Sequence, residues 1–146
     1  MKEIRTTYER LSKAFTKDIA ANVVKKELKQ IFSRLANQIH MINVGIGWWH
    51  DSEGDILTRN VGELIALTHS EISEWMEGER KDLMDDKLPH RKMAEVEIAD
   101  AIIRMLDFAG AARYDIGGAI AEKLEYNLQR EDHKHESRES EGGKLF

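Results

Sequence analysis

The fold of this chain is decided by residues 60–78, which read NVGELIALTHSEISEWMEG. Apolar residues recur there at helical spacing, and this pattern predicts an amphipathic helix over residues 61 to about 77. Asn60 is a favoured N-cap residue, and Glu63 three positions later completes a variant of the capping box. Gly78 is expected to end the helix.

Two glutamates of this helix, Glu71 and Glu74, are three residues apart and therefore lie side by side on one face. Successive residues advance by about 100°, which places Glu71 between Leu64 and Leu67, just inside the edge of the apolar arc, and Glu74 just outside it. A glutamate inside an apolar surface is costly unless a cation compensates its charge. A metal ion or a basic side chain would do so, unless the glutamate simply reaches out to water.

A second pair, Glu97 and Asp100, has the same spacing on a helix that is predicted to follow Pro89 and to run to about Tyr114. Twenty-two residues separate the two pairs, enough for half a helix, a loop and half of an antiparallel partner, so the pairs can face each other. Four converging carboxylates repel one another, and hard divalent ions such as Mg²⁺ relieve that repulsion. The sequence therefore predicts a magnesium site between these helices.

The second pair also has a plain surface interpretation. It belongs to a polar stripe opposite the apolar arc of its helix, which is typical of a solvated face with an ion pair between Asp100 and Arg104 at i, i+4. The stripe consists of Met93, Glu97, Asp100, Arg104 and Asp107. The matching spacing on the preceding helix favours the metal site over this alternative.

A last helix is predicted from a cap at Asp115 to about Arg130 or beyond. One of its faces carries three cations and an amide, namely Lys123, Asn127, Arg130 and Lys134. Such a stripe suits phosphate oxygens, with arginine as a bidentate donor and lysine as a point charge. A solvated basic face near a helix C-terminus explains the same pattern.

The whole chain is predicted to be all-α, because it has one proline and no strand-like alternation of Val, Ile and Thr. Its 146 residues suit a single domain. Tyr8, Leu11 and Phe15 indicate a first helix, with a break near residues 16–18. The predicted divisions are N-terminal helices (1–42), a glycine-containing loop (43–60), the carboxylate and basic helices (61–132) and a polar tail (133–146).

Composition narrows the classes of partner. A net charge of −5 and a pI of about 5.7 argue against a protein that binds duplex nucleic acid. The absence of cysteine excludes a disulfide framework and a Cys-ligated zinc site. No apolar run approaches membrane-spanning length, and the first residues lack the apolar stretch of a signal peptide. We therefore expect a cytoplasmic protein without a membrane partner.

Three segments combine both carboxylate pairs with the basic stripe: THSEISEWMEGER (68–80), AEVEIADAIIRMLDF (94–108) and KLEYNLQREDHKHESRESEGGKLF (123–146). Together they resemble the all-α nucleoside triphosphate pyrophosphohydrolases, the MazG-like group that also includes dimeric dUTPases and dCTP pyrophosphatases. The resemblance implies a four-helix-bundle-like fold. The long N-terminal helical region departs from short members of the family.

The resemblance also implies roles for individual residues. The metal ligands that serve catalysis would be Glu71, Glu74, Glu97 and Asp100, holding Mg²⁺ or Mn²⁺. The phosphate contacts would be Lys123, Asn127 and Arg130, with Lys144 as the basic residue of the tail. The implied reaction converts a (d)NTP and water into the (d)NMP and pyrophosphate, which controls the nucleotide pool.

The expected partners are a nucleoside triphosphate and further copies of the chain. Broad apolar arcs on the two carboxylate helices suggest a homodimer or tetramer. Trp48 and Trp49 offer surfaces for stacking on a base, and His40 could read a base edge. For each residue taken alone, the leading explanation is a tryptophan that fills the core or an ordinary helix-end histidine. Phage members of the family place (d)GTP among the candidate substrates and the host cytoplasm among the locations. The residues themselves do not distinguish purine from pyrimidine.

Two other classes of protein share parts of this pattern. A di-iron carboxylate bundle uses Glu-x-x-His pairs, whereas here the third positions hold Glu74 and Asp100, so oxygen-only ligation favours Mg²⁺ or Mn²⁺ in any carboxylate-bridged di-metal bundle. A non-catalytic helical oligomeric interaction module would explain the amphipathic helices. It would not explain Glu71.

Overall fold

A computed structural model describes residues 17–130, and this part of the chain is all-α, as predicted. Its four helices are α1 (Lys17–Gly45), α2 (Val61–Lys81), α3 (Met93–Ala111) and α4 (Ile116–Gln129). Residues 17–130 contain no strand and only two isolated β-bridges, in the segments before α2 and before α3. The predicted first helix and the predicted tail, residues 133–146, lie outside the described residues.

The described residues form two compact units. The first consists of residues 33–114, with the second half of α1 and all of α2 and α3. The second consists of residues 17–32 and 115–130, that is, the first half of α1 and α4. Within the second unit, Lys25 pairs with Glu125 at 2.6 Å and Lys29 pairs with Asp115 at 2.7 Å.

Helix α2 begins where the sequence predicts but continues further. The Asn60 side chain accepts hydrogen bonds from the backbone N–H groups of Gly62 and Glu63, so the predicted cap is confirmed. The prediction that Gly78 ends the helix is wrong, since α2 runs to Lys81. Gly78 is buried inside α2, and a Cβ there would lie 2.9 Å from the backbone nitrogen of Ala94. The glycine is needed for close packing of α2 against the start of α3.

The connection between α2 and α3, residues 82–92, is a loop held by backbone and side-chain hydrogen bonds. Asp85 is buried, its backbone N–H donates to the carbonyl of Arg91, and its side chain accepts from the N–H of Lys87. Helix α3 then begins at Met93, after Pro89 as the sequence predicts, and it ends at Ala111, slightly before the predicted end near Tyr114. The predicted cap of α4 is confirmed, because Asp115 accepts from the N–H of Gly118.

The second half of α1 crosses α3 at Gly110. A Cβ at that position would lie 2.5 Å from the carbonyl oxygen of Ala36, so only glycine allows the two backbones to approach this closely. Ala36 itself is only 2% exposed. The crossing brings His40 of α1 beside Asp107 of α3.

The packed sides of α2 and α3 are unusually polar. These helices run antiparallel, because Gly78 lies against Ala94 and Glu71 reaches Arg104 further along α3. The buried residues of these helices include small ones such as Ala101 and the carboxylates Glu71 and Glu97. Large apolar side chains on the same helices are exposed, namely Val61, Ile65, Ile72, Trp75, Met76, Ile102 and Met105.

The polar stripe of α3 is therefore partly buried, which differs from its interpretation as a solvated face. Glu97 and Asp107 are buried, while Ile102 of the apolar arc is 44% exposed. Among the described helices, none combines the length and the apolar character needed to cross a membrane.

Candidate metal centre

Three of the four predicted metal ligands converge between α2 and α3. One carboxylate oxygen each from Glu71, Glu97 and Asp100 lies within 4.8 Å of the others. Glu71 and Glu97 are each only 7% exposed. Converging oxygen atoms of this kind are the donor set that Mg²⁺ and Mn²⁺ prefer, so the residues present fit a hard divalent ion.

The electrostatics of this carboxylate cluster also fit a cation. The pKa of Glu97 is raised to about 7, mainly by burial. Its contact with Glu71 and the negative charges of Glu74, Glu71 and Asp100 raise it further in the same direction. The pKa of Asp100 is raised as well, first by burial and then by the charge of Glu71. Each shift means that the folded protein disfavours the ionised carboxylate. A bound dication would reverse that preference.

Glu74, the fourth predicted ligand, is exposed at the edge of the cluster. Its charge still raises the pKa of Glu97, which places it near that carboxylate. This arrangement follows from the predicted geometry of α2, in which Glu71 falls inside the apolar arc and Glu74 outside it. Glu71 is buried and Glu74 is exposed, as the helical spacing predicts.

Arg104 pairs with the cluster in a way that the sequence did not indicate. Its Nε donates to Glu71 Oε1 at 2.7 Å, across from α3 to α2. The surface interpretation of the polar stripe instead pairs Arg104 with Asp100 on the same helix. Its charge nevertheless lowers the pKa of Asp100, so the guanidinium acts on both carboxylates.

Arg104, which contacts Glu71 of the cluster, also lines a small pocket. It is lined by Trp48, Trp49, Arg59, Leu64, Arg104, Asp107 and Phe108, and its volume is about 30 Å³. That volume holds a water-sized group, so a nucleobase would need side chains to move. Trp48, one of the lining residues, is 48% exposed.

The buried carboxylate of Asp107 organises the wall of this pocket. It accepts from Trp49 Nε1 at 3.0 Å and makes a 2.8 Å hydrogen bond with His40 Nδ1. The rings of His40 and Trp49 also meet edge to face, with centroids 5.0 Å apart. The three predicted base contacts, Trp48, Trp49 and His40, are therefore brought to one place beside the cluster.

The predicted phosphate contacts lie in the other unit. On α4, the Lys123 ammonium lies 4.7 Å from the centre of the Tyr126 ring, and the Arg130 guanidinium lies 6.0 Å from it. Asn127 Oδ1 is buried and has no hydrogen-bond partner among residues 17–130. Lys134 and Lys144 fall outside the described residues.

Sequence reasoning missed two residues near the cluster. Asp107 was assigned to a solvated face, yet it is 8% exposed and holds Trp49. Asp85 was not singled out, although it is buried and its charge raises the pKa of Asp100. Asp107 follows Asp100 by seven residues and so shares its helical face, a signal that could have placed it near the site.

The chain matches no family model, no curated protein and no solved structure. The MazG-like family therefore remains a prediction from the motifs. Residues 17–130 are all-α, and their Glu71, Glu97 and Asp100 form a carboxylate cluster that could hold a metal ion.

Proposed function

We propose that this protein is a Mg²⁺-dependent nucleoside triphosphate pyrophosphohydrolase that converts a (d)NTP into the (d)NMP and pyrophosphate. The observation that carries the proposal is the meeting of Glu71, Glu97 and Asp100 on the packed sides of two antiparallel helices. Two of these carboxylates are buried, where carboxylates without a cation are costly. Such an arrangement is easier to explain as a binding site than as a device for stability.

The carboxylates divide the chemistry between them. Glu71, Glu97 and Asp100 would hold the ion through their oxygen atoms. Bound Mg²⁺ or Mn²⁺ would supply a Lewis acid at the phosphate oxygens and lower the pKa of a water molecule. Glu74, exposed beside the cluster, can complete the ligand set or accept the proton of the attacking water.

The pocket beside the cluster supports a nucleoside as the substrate. Trp48 and Trp49 supply aromatic surface, and Asp107 fixes the Trp49 indole with His40 as its neighbour. A base that enters between them would leave its phosphates near the carboxylate cluster, because Arg104 lines the pocket and contacts Glu71. The base and sugar are open, with (d)GTP among the candidates.

Other parts of the proposal rest on the sequence resemblance. Lys123, Asn127, Arg130 and Lys144 stay predicted phosphate contacts, and a phage origin with a role in the host nucleotide pool stays an expectation. A homodimer or tetramer is supported by exposed apolar side chains on α2 and α3, such as Ile65, Ile72 and Ile102.

The decisive experiment is a panel of ribo- and deoxyribonucleoside triphosphates with Mg²⁺ in ¹⁸O-labelled water. We expect the monophosphate and pyrophosphate as products, with the label in the monophosphate, because water attacks the α-phosphorus. Orthophosphate as the first product would identify a phosphatase instead. A complete absence of turnover across the panel would contradict the proposal.

The exposed apolar side chains also favour a second candidate, a non-catalytic helical oligomeric interaction module. The two candidates differ in their response to ligands. A pyrophosphohydrolase should gain thermal stability from a non-hydrolysable nucleotide only when a divalent ion is present. An interaction module should show no such dependence.

A further inference from the structure

Arg104 supplies the positive charge that neutralises Glu71. The two side chains come from different helices, and the Nε to Oε1 distance is 2.7 Å. Only 9% of the Glu71 side chain is exposed, against 30% of that of Arg104. The glutamate therefore depends on a partner for its charge, while the arginine has access to water and can move.

A divalent ion and Arg104 would compete for the same carboxylate. The ion would take oxygen atoms from Glu71, Glu97 and Asp100, and the guanidinium already engages Oε1 of Glu71. Two cations on one carboxylate repel each other, and this repulsion is strong where water is largely excluded. Occupation of the cluster by a dication should therefore weaken the hold of Glu71 on Arg104.

The structure also supplies a second place for the guanidinium. Arg104 lines the small pocket together with Arg59, two tryptophans and the buried carboxylate of Asp107. A triphosphate whose base enters this pocket brings anionic oxygens to the boundary between pocket and cluster, where Arg104 lies. A guanidinium is a strong bidentate donor to phosphate oxygens.

We propose that Arg104 is a positioning residue that exchanges partners, neutralising Glu71 until a divalent ion takes that carboxylate and then binding the phosphates of the nucleotide. This inference rests on the proposed function. Metal and nucleotide should then bind with positive coupling. The metal ion would release the Arg104 guanidinium from Glu71, and the phosphates of the nucleotide would bind the released guanidinium. Arg104 would oppose metal binding in the nucleotide-free protein and favour nucleotide binding in the metal-loaded protein.

The test is the pair of variants Arg104→Met and Arg104→Gln, with Mn²⁺ affinity measured on the nucleotide-free protein by electron paramagnetic resonance. Loss of the competing cation should tighten Mn²⁺ binding by roughly fivefold to fiftyfold. The KM for the nucleotide at saturating metal should rise by about tenfold or more. A purely structural role would not improve one affinity while it weakens the other.

Arg59→Met is the matched control. Arg59 lines the same pocket, but its guanidinium donates to the carbonyl of Trp48 at 2.9 Å and lies 3.9 Å from Glu63. Its loss should leave Mn²⁺ affinity unchanged even if the KM rises. Arg104→Gln keeps a donor for Glu71 without the charge, and it provides the same measurement if Arg104→Met does not fold.

Unchanged or weaker Mn²⁺ binding in a folded Arg104 variant would overturn the exchange while leaving the proposed function intact. If the wild-type protein bound no Mn²⁺ and hydrolysed no nucleotide, the proposed function would fail and the exchange with it. These outcomes are distinguishable, because the first requires a wild-type protein that binds metal.

Discussion

Two ion pairs of the same length have very different surroundings in this protein. Arg104 and Glu71 meet at 2.7 Å with 30% and 9% of their side chains exposed, whereas Lys29 and Asp115 meet at 2.7 Å with 57% of each exposed. Breaking a buried pair leaves a charge without a partner, which is strongly destabilising, while an exposed pair contributes little. The distance is the same and the consequence is not.

The neighbours of the two pairs differ in the same way. Glu71 lies among other carboxylates, and it raises the pKa of both Glu97 and Asp100. The charge of Asp115 is stabilised locally, because hydrogen bonds from Lys29 and from the backbone N–H of Gly118 hold its pKa below the usual range. The contrast separates a region in which neighbouring carboxylates raise one another's pKa from a region in which a carboxylate has its own cation and backbone donor.

The largest expected effect is on catalysis and concerns the crowded region. Glu71→Gln and Asp100→Asn each remove one charged ligand at little change in volume, so Mg²⁺-dependent turnover should fall by roughly a hundredfold or more. Circular dichroism should show an intact helical fold. Glu95→Gln is the control, because Glu95 is exposed on α3 and pairs only with Arg91 among the described residues, at 3.6 Å. Near-normal turnover in both ligand variants would refute the metal centre.

The next effect is on stability and follows from the pKa of Glu97. That pKa is about 7 in the folded protein against 4.5 ordinarily, so the folded state binds the proton more tightly than the unfolded state. The free energy of unfolding should therefore decrease as the pH rises from about 4.5 to about 7 in the presence of a chelator.

Thermal unfolding at several pH values checks this prediction. Glu97→Gln should flatten the pH dependence and raise the free energy of unfolding at pH values above about 7, by about 1 to 3 kcal/mol. Mg²⁺ should stabilise the wild-type protein more than the variant under those conditions. A Tm that instead rises with pH across this window would contradict the assignment of the shifted group.

The smallest effect is expected in the exposed region. Lys29→Met removes the cation from Asp115 but leaves the cap on Gly118, so the Tm should fall by about 2 °C or less. Because the pair faces water, 0.5 M salt should erase most of the difference. A large loss that persists in high salt would mean that the pair is buried in an assembly of the chain.

Local signals predicted much of the fold. The caps Asn60 and Asp115 satisfy their own helix ends within a few residues, so their roles could be inferred from adjacent sequence. Helical spacing placed Glu71 just inside the edge of the apolar arc, but its burial and its pairing depend on contacts with α3. Gly78 was misassigned because its role depends on the approach of Ala94 from another helix.

The site was harder to predict where it depends on contacts between helices. The spacing of the carboxylates predicted that Glu71, Glu97 and Asp100 could meet. It could not show that Arg104 would pair with Glu71 and not with Asp100, nor that Asp107 would be buried. The orientation of an amphipathic helix depends on its neighbours, and exposed side chains such as Ile102 show that hydrophobic pattern alone does not fix it.

Gly110 restricts sequence variation in α3, because a residue with a side chain does not fit at this position. Every replacement adds at least a Cβ, which would meet the backbone of Ala36 and the side chain of His40 at 2.5 and 2.7 Å. Gly45 differs, because a Cβ added there would meet no atom within 4 Å, so other residues fit sterically at that position. A larger residue at position 110 would separate α1 from α3 and move His40 away from Asp107. The wall of the pocket therefore depends on a residue that has no side chain.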